Sequence, residues 1–238
     1  MPTTSPATSS RAEVSAVSAS TLSSPATSAS DTVFYGIVNG LEVQTFVPSQ
    51  RLVESDLAAL FKVGRNSVRE ALQRLAAEGF VELSRHKGAA VRLLSAEDTL
   101  AVLDVAERMT GLLARSAAIN ASSSGLVAAL KTCVEDISAA DAAQDVVLFA
   151  KVRRRFYRVL LDMSGSRELK RLFPAIQLPI VLAQHRLPSL QKIRVRDYRQ
   201  IATAVAAGQV DAADAAGMAH VQHVREEIVR LLNDPPAD

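Results

Sequence analysis

Basic side chains outnumber acidic ones between Lys62 and Arg92 of the 238-residue chain. This stretch holds seven Lys or Arg and three Glu, whereas the whole chain has 27 basic and 25 acidic residues. Arg65 and Arg69 are four positions apart, so on a helix they project from the same side. Guanidinium groups in this arrangement bind the phosphates and base edges of DNA. A solvated basic helix face is the alternative interpretation of these arginines taken alone.

The residues around these arginines predict two short helices. Leu57, Leu60 and Phe61 have the i, i+3, i+4 spacing of an amphipathic helix over residues 54–63, which Gly64 ends. A second helix follows and continues to Gly79. We expect its N-terminal cap to be Asn66 or Ser67, with Ser67-x-x-Glu70 as a capping box.

A hairpin with a basic tip follows the second helix. Residues 80–84 and 89–93 are strand-like, and the turn between them reads Arg85-His86-Lys87-Gly88. Helix, tight turn, helix and hairpin, in this order, predict a winged helix-turn-helix that binds double-stranded DNA. We assign this domain to residues 32–94.

The composition argues against other classes of protein. No apolar run approaches the 18 residues of a membrane span, and the single Cys133 excludes an intrachain disulfide framework or a multi-cysteine zinc site. The chain has four His and no Gly-rich phosphate loop, nucleophile elbow or recognisably spaced catalytic carboxylates. We therefore expect a cytoplasmic protein without enzymatic activity.

The first thirty residues differ in composition from the rest. Ser, Thr, Ala and Pro fill 24 of these 30 positions. Such a segment cannot bury enough apolar surface to offset its ordering entropy, and it lacks the pattern of a secretory signal. We predict a disordered tail over residues 1–31.

Residues 95–238 are predicted to form an all-α domain. Apolar residues recur at helical spacing in six stretches, over residues 99–121, 126–140, 145–163, 168–184, 189–206 and 211–232. Six helices with short connections are typical of an antiparallel bundle. The predicted fold is mainly α, with an N-terminal winged helix-turn-helix domain and a C-terminal helical bundle.

The DNA-binding region resembles the GntR family of bacterial transcription regulators. The family pattern R-L-x-E-x-x-L-A corresponds to residues 51–58, R-x-x-V-R-E-A-L-x-R-L-x-x-E-G to residues 65–79, and the wing's G-x-x-V to residues 88–91. Two positions depart from the family: Gly64 stands where it often has Ser or Thr, and Ser49 replaces the usual Gly after Pro48. Neither change removes a positive charge. The resemblance, together with the charge pattern, implies DNA contacts from Arg65, Asn66, Ser67, Arg69, Arg74, His86, Lys87 and Gly88.

The helical half is similar to the FCD-type effector domain of the FadR subfamily. The segments that match are residues 156–166, 197–201 and 215–220. Many members of the subfamily hold a metal with one Asp and three His. In this chain Arg153, Tyr157 and Tyr198 stand at the Asp and the first two His positions, and His220 alone is retained. Because arginine is no metal ligand and repels cations, we predict no metal and no cofactor here.

Arg153 lies inside an otherwise apolar helical stripe. Phe149, Arg153, Phe156 and Leu160 follow one another at helical spacing, and a buried, unpaired guanidinium costs several kcal/mol. We therefore predict that Arg153 binds the carboxylate of a small metabolite, with Tyr157, Tyr198 and His220 as hydrogen-bond partners. An internal Asp or Glu partner, or a side chain that reaches solvent, are the alternatives. For His220 alone, a core histidine is as good an interpretation.

These observations predict a homodimeric regulator whose affinity for palindromic operator DNA changes when a carboxylate metabolite binds. The helical domain would hold both the effector site and the dimer contacts. One alternative is a metal-dependent regulator of the same family that uses His220 with His185 or an acidic residue. Another is a DNA-binding protein without an effector, which a packed pocket with Arg153 paired internally would favour. We interpret Cys133 as a buried structural thiol and His223 as a surface residue.

Overall fold

The computed structural model describes residues 28–43, 45–86, 88–183 and 189–233, so most of the predicted tail lies outside the described residues. The first helix, α1, spans Ala29–Glu42. Ser28 caps it: its Oγ accepts from the Asp31 amide at 3.0 Å, and the Asp31 carboxylate accepts from the Ser28 amide at 3.3 Å. Residues 28–31, which we assigned to the disordered tail, are therefore the cap and first turn of α1.

Two further helices and a small sheet complete the N-terminal domain. They are β1 (Arg51–Leu52), α2 (Glu54–Phe61), α3 (Arg65–Ala77), β2 (Val81–Ser84) and β3 (Gly88–Val91). The strands are antiparallel in the order β1-β3-β2, so the predicted hairpin is present with a third strand added. A strand of two residues is too short to produce an alternating pattern, which is why the sequence did not predict β1.

The C-terminal domain consists of helices only, as predicted. They are α4 (Ala96–Ile119), α5 (Ala121–Ser124), α6 (Val127–Ala142), α7 (Val146–Ser164), α8 (Arg167–Ala183), α9 (Ser189–Ala206) and α10 (Val210–Asn233). Six long helices match the predicted stretches, and α5 is an additional single turn. None of the helices in the described part of the chain has the length and apolar character needed to cross a membrane.

Helices α4 and α10 approach each other closely because each has a glycine at the contact. A Cβ placed on Gly217 would lie 2.6 Å from the backbone oxygen of Thr110, and one on Gly111 would meet Asp214 and Met218. The neighbouring core is closed, since Cys133, Phe156 and most aliphatic side chains around them are fully buried. This packing fixes the position of α4 against the helices that surround it.

The two domains contact each other through the end of α1. Helix α1 packs against α8, and Glu42, its last residue, forms ion pairs with Arg153 and Arg154 on α7. Helix α1 also packs against α3. Helix α1 therefore lies between the helical domain and the second helix of the helix-turn-helix.

Candidate functional site

The second helix of the helix-turn-helix begins two or three residues earlier than we expected. Helix α3 starts at Arg65 with Gly64 as its N-cap, in extended conformation and without a side-chain cap hydrogen bond. The predicted cap at Asn66 or Ser67 and the capping box with Glu70 are therefore wrong. The reason is that Gly64 adopts the backbone conformation of the cap and has no side chain. The first amides of α3 are thus left without a side-chain acceptor, and such amides bind phosphates.

Arg65 and Asn66 are exposed at this end of α3, and Ser67 is half-buried. Arg69, one turn further, donates to Glu54 from Nε at 3.2 Å and from Nη2 at 2.8 Å. This hydrogen bond lowers the pKa of the Glu54 carboxyl. The Arg69 side chain is 59% exposed, so the pair is weak and a phosphate can replace or share the carboxylate.

Arg74 occupies a different place from the other predicted DNA contacts. It lies at the opposite end of α3, where it binds Asp31 at 3.0 Å and Glu78 at 3.2 Å. Its guanidinium also stacks 3.8 Å above the Phe34 ring. These contacts attach α3 to α1, so the geometry gives Arg74 a role in packing and no support for a role in binding DNA.

The tip of the hairpin is exposed. His86 is exposed, and Gly88 has a φ of 75°, which favours glycine because other residues rarely adopt it. Lys87 lies outside the described residues. An open groove runs between α3 and the hairpin, and Arg51, Arg69, Gln73 and Ser84 line it.

The four residues predicted to bind an effector lie around one cavity in the helical domain. Arg153 and Tyr157 reach it from α7, Tyr198 from α9 and His220 from α10. The space that water-sized spheres can occupy in it is about 30 Å³, within about 420 Å³ of empty space that includes the open mouth. The Tyr198 ring stacks on Phe156 at 4.7 Å and contacts the His220 ring at 4.8 Å. The sequence therefore predicted four residues that line the same pocket, but not the distances between them.

Two polar residues of the pocket were missed. Thr110 enters from α4, and Arg194 enters from α9 one turn before Tyr198. The i, i+4 spacing of Arg194 and Tyr198 was available in the sequence and places both on one face of a helix. Among the residues that the structure describes, no carboxylate lies within ion-pair distance of Arg194. Burial without such a partner lowers the pKa of its guanidinium to about 10.

Arg153 is buried, as its place in the apolar stripe predicted, and it has an internal partner. Its Nη2 lies 3.4 Å from a Glu42 oxygen, and both side chains are less than 10% exposed. Burial alone would lower the pKa of Arg153, but the nearby Tyr198 and Glu42 raise it. Glu42 also binds Arg154. One carboxylate therefore faces two guanidinium groups, and Arg194 adds a third positive charge.

His220 and His223 share one acceptor. Asp197 is buried, and its Oδ2 lies 3.2 Å from His220 Nδ1 and 3.0 Å from His223 Nδ1. Burial lowers the pKa of His220, so the ring is neutral, with its proton on Nδ1 toward Asp197. Burial would raise the pKa of Asp197, but the hydrogen bonds from both histidines hold it below its usual value. His223, which we interpreted as a surface residue, is one-third exposed, and its Nδ1 also lies 2.9 Å from Arg196 Nη2.

The donor set of the pocket does not fit a divalent metal. One neutral imidazole, two phenols and two guanidinium groups surround the cavity, and the positive charges repel a cation. The phenol of Tyr157 stays protonated because burial raises its pKa well above the usual value. The described residues contain no group of three His, Cys, Asp or Glu side chains arranged for a metal. Hydrogen-bond donors and cations are instead the groups that bind a carboxylate.

A winged helix-turn-helix with a basic face, joined to a helical domain with a polar pocket, is the architecture of a transcription regulator. Comparison with known proteins supports this class. The gntR family of bacterial regulatory proteins matches residues 30–91, and the FCD domain matches residues 101–223. The chain therefore belongs to the GntR family, in the group of regulators that carry an FCD domain.

Two sequence relatives and two solved structures illustrate the relationship. The HTH-type transcriptional regulator YdhC of Bacillus subtilis is 24% identical over 197 residues, covering 80% of this chain and 86% of its own. The Nta operon transcriptional regulator of Aminobacter aminovorans is 25% identical over 187 residues, covering 79% and 88%. Escherichia coli McbR/YncC superposes with a TM-score of 0.78 at 17% identity, over 87% of this chain and 99% of that one. A GntR regulator from Rhodococcus sp. RHA1 gives 0.70 at 22% identity, over 84% and 97%. At these identities the two structures show the fold alone.

Proposed function

We propose that this regulator binds operator DNA through α3 and the hairpin, and that a small carboxylate in the helical domain controls its affinity without a metal. The observation that carries the effector class is the excess of positive charge in the pocket. Arg194 has no carboxylate partner among the described residues, and Arg153 shares Glu42 with Arg154. An anion that enters the cavity supplies the missing negative charge.

Among small carboxylates, the neutral His220 favours ligands that also carry a hydrogen-bond donor. With Nδ1 donating to Asp197, its Nε2 is an acceptor, whereas the pocket arginines and tyrosines are donors. In a ligand with a hydroxyl group beside its carboxylate, the hydroxyl can donate to Nε2 of His220 and the carboxylate can accept from the arginines and tyrosines. We therefore expect malate to bind more tightly than succinate, because the two acids differ only in that hydroxyl.

A thermal-shift titration tests the proposal. Purified protein is mixed with succinate, malate and other small acids, in chelator in one arm and with zinc or nickel in the other. We expect a rise in melting temperature that persists in chelator, because a ligand that binds the folded state stabilises it by mass action. The rise should disappear in Arg194→Gln and persist in Arg199→Gln, since Arg199 lies exposed on the same helix.

Each of the other outcomes supports an alternative. A shift that requires metal would support the metal-dependent regulator. No shift with any acid would support a DNA-binding protein without an effector, for which the internal pairing of Arg153 is the favouring observation. His185, which the metal alternative would use with His220, lies outside the described residues.

We propose further that the protein acts as a homodimer in the cytoplasm, where chromosomal DNA is found. An exposed apolar stripe on α4 supports the dimer: Val105, Leu112 and Ile119 are 52%, 49% and 60% exposed and lie seven residues apart. A seven-residue spacing places them on one side of the helix, as in paired helices. Leu112→Glu should reduce the molar mass measured by light scattering, and Leu172→Glu, at an exposed leucine of α8, should not. An unchanged mass in Leu112→Glu would exclude α4 as the dimer contact.

A further inference from the structure

The carboxylate of Glu42 occupies an unfavourable position in its own helix. It is the last residue of α1, where the backbone carbonyls of the helix end give a partial negative charge. Its side chain is only 6% exposed, so water does not solvate this charge. Arg153 and Arg154 are the groups that neutralise it. The last turn of α1 therefore depends on two side chains of the other domain.

Arg153 belongs to two sites at once. It lines the effector cavity together with Tyr198 and Arg194, whereas Glu42 does not line that cavity. The guanidinium thus lies between the pocket and the end of α1. Its 3.4 Å contact with Glu42 is long for an ion pair, so the contact is readily exchanged for a better one. A bidentate carboxylate in the pocket offers such a contact.

Helix α1 connects this ion pair to the DNA-binding surface. It packs against α3, and near its start Asp31 binds Arg74 of α3 at 3.0 Å. A change at the end of α1 therefore reaches the helix that carries Arg65 and Arg69 through directly packed elements.

We propose that Glu42 couples ligand binding in the pocket to the DNA-binding domain. This inference rests on the proposed function for the identity of the ligand. An anion in the pocket draws Arg153 away from Glu42, only Arg154 remains as an ion-pair partner of Glu42 among the described residues, and the last turn of α1 loosens. The setting of α3 changes as a consequence, and with it the affinity for DNA.

Hydrogen-exchange mass spectrometry of the full-length protein tests this mechanism without knowledge of the operator. The probes are malate and inorganic phosphate, at constant ionic strength set by chloride, and calorimetry measures their binding separately. In the wild type, the probe that binds should speed exchange in the last turn of α1 about two- to fivefold, the factor expected for a charge at a helix end. In Glu42→Gln the end of α1 carries no carboxylate, so exchange of the same turn should not change when the probe is added, although the probe still binds.

The control variant is Glu70→Gln, because Glu70 is an exposed residue of the same domain. It should behave as the wild type. A probe that binds wild-type protein without changing exchange in α1, or a Glu42→Gln protein that responds as the wild type does, would overturn the proposal.

A measurement without ligand keeps the two proposals distinguishable. Glu42→Gln, Arg153→Gln and the double variant form a cycle in which exchange of the last turn of α1 is the readout. If the two residues act through one contact, the double variant exchanges no faster than the faster single variant. Additive effects would refute the link through Glu42. If neither probe binds the wild type, the proposed ligand class is wrong, and the cycle alone decides whether the link exists.

Discussion

Replacing Arg194 with methionine should stabilise the ligand-free protein, which is the opposite of what a buried side chain usually does when it is changed. Burial lowers the pKa of Arg194 from 12.5 to about 10. One pKa unit corresponds to about 1.4 kcal/mol, so the charged form is disfavoured in the folded protein by about 3 kcal/mol. Because the side chain is half-buried, we expect about 1–3 kcal/mol of stabilisation on its removal.

The pH dependence of this gain follows from the sign of the shift. Below pH 10 the guanidinium is charged in both the folded and the unfolded state, so the destabilisation is present in full. It diminishes only as the pH rises through the folded-state pKa of about 10. The gain of Arg194→Met should therefore be constant between about pH 6 and pH 9.

Differential scanning calorimetry measures the effect. For a chain of this size, 1–3 kcal/mol corresponds to a rise in melting temperature of roughly 2–10 °C. Arg199→Met is the matched control, because Arg199 is exposed on the same helix, and it should change the stability by less than about 0.5 kcal/mol. The stabilised Arg194→Met protein should also gain nothing from malate. A melting temperature that falls would refute the reasoning, since it would mean that the guanidinium makes favourable contacts that offset its burial.

Three further predictions concern other parts of the molecule. Arg69→Ala should weaken DNA binding. If Arg69 contacts one phosphate, the slope of log K against log salt, measured by fluorescence anisotropy at several salt concentrations, should fall in magnitude by about 1, and an unchanged slope would contradict that contact. Gly217→Ala should destabilise the protein by about 2 kcal/mol or more in urea unfolding, because the added Cβ would lie 2.6 Å from the Thr110 oxygen, and a loss below 0.5 kcal/mol would show that α4 and α10 separate easily. His220→Gln should reduce the fall in melting temperature between pH 7.5 and 5.5, because the pKa of wild-type His220 is lowered in the folded state and the unfolded chain binds the proton more readily. Equal falls in both proteins would argue against that pKa shift.

The sequence predicted the features that depend on local spacing. The helices of both domains and the burial of Arg153 follow from periodic patterns, which residues near in sequence create by themselves. The partner of Arg153 could not be predicted in this way, because Glu42 lies 111 positions earlier and in the other domain. The contact of His223 with Asp197 likewise joins residues of two different helices.

The cap of α3 shows a different limit. Ser67-x-x-Glu70 has the composition of a capping box, but a cap also requires an extended backbone at the capping residue. Gly64 adopts that backbone and the helix begins directly after it, so Ser67 is already inside the first turn. Composition identifies candidates for a cap, whereas the backbone conformation of the preceding residue decides among them.

Helix α4 has three consecutive residues with three different environments. Thr110 faces the pocket, Gly111 lies against α10, and Leu112 is exposed on the outer stripe. Successive residues of a helix are rotated by about 100°, so the deletion of a single residue upstream would turn all three faces together. Such a deletion would place a leucine where the glycine contact requires the absence of a side chain. Length changes within α4 should therefore be far less tolerated than substitutions, whereas the exposed connection after α6, around Gln144, can accept an added residue without changing the register of any helix.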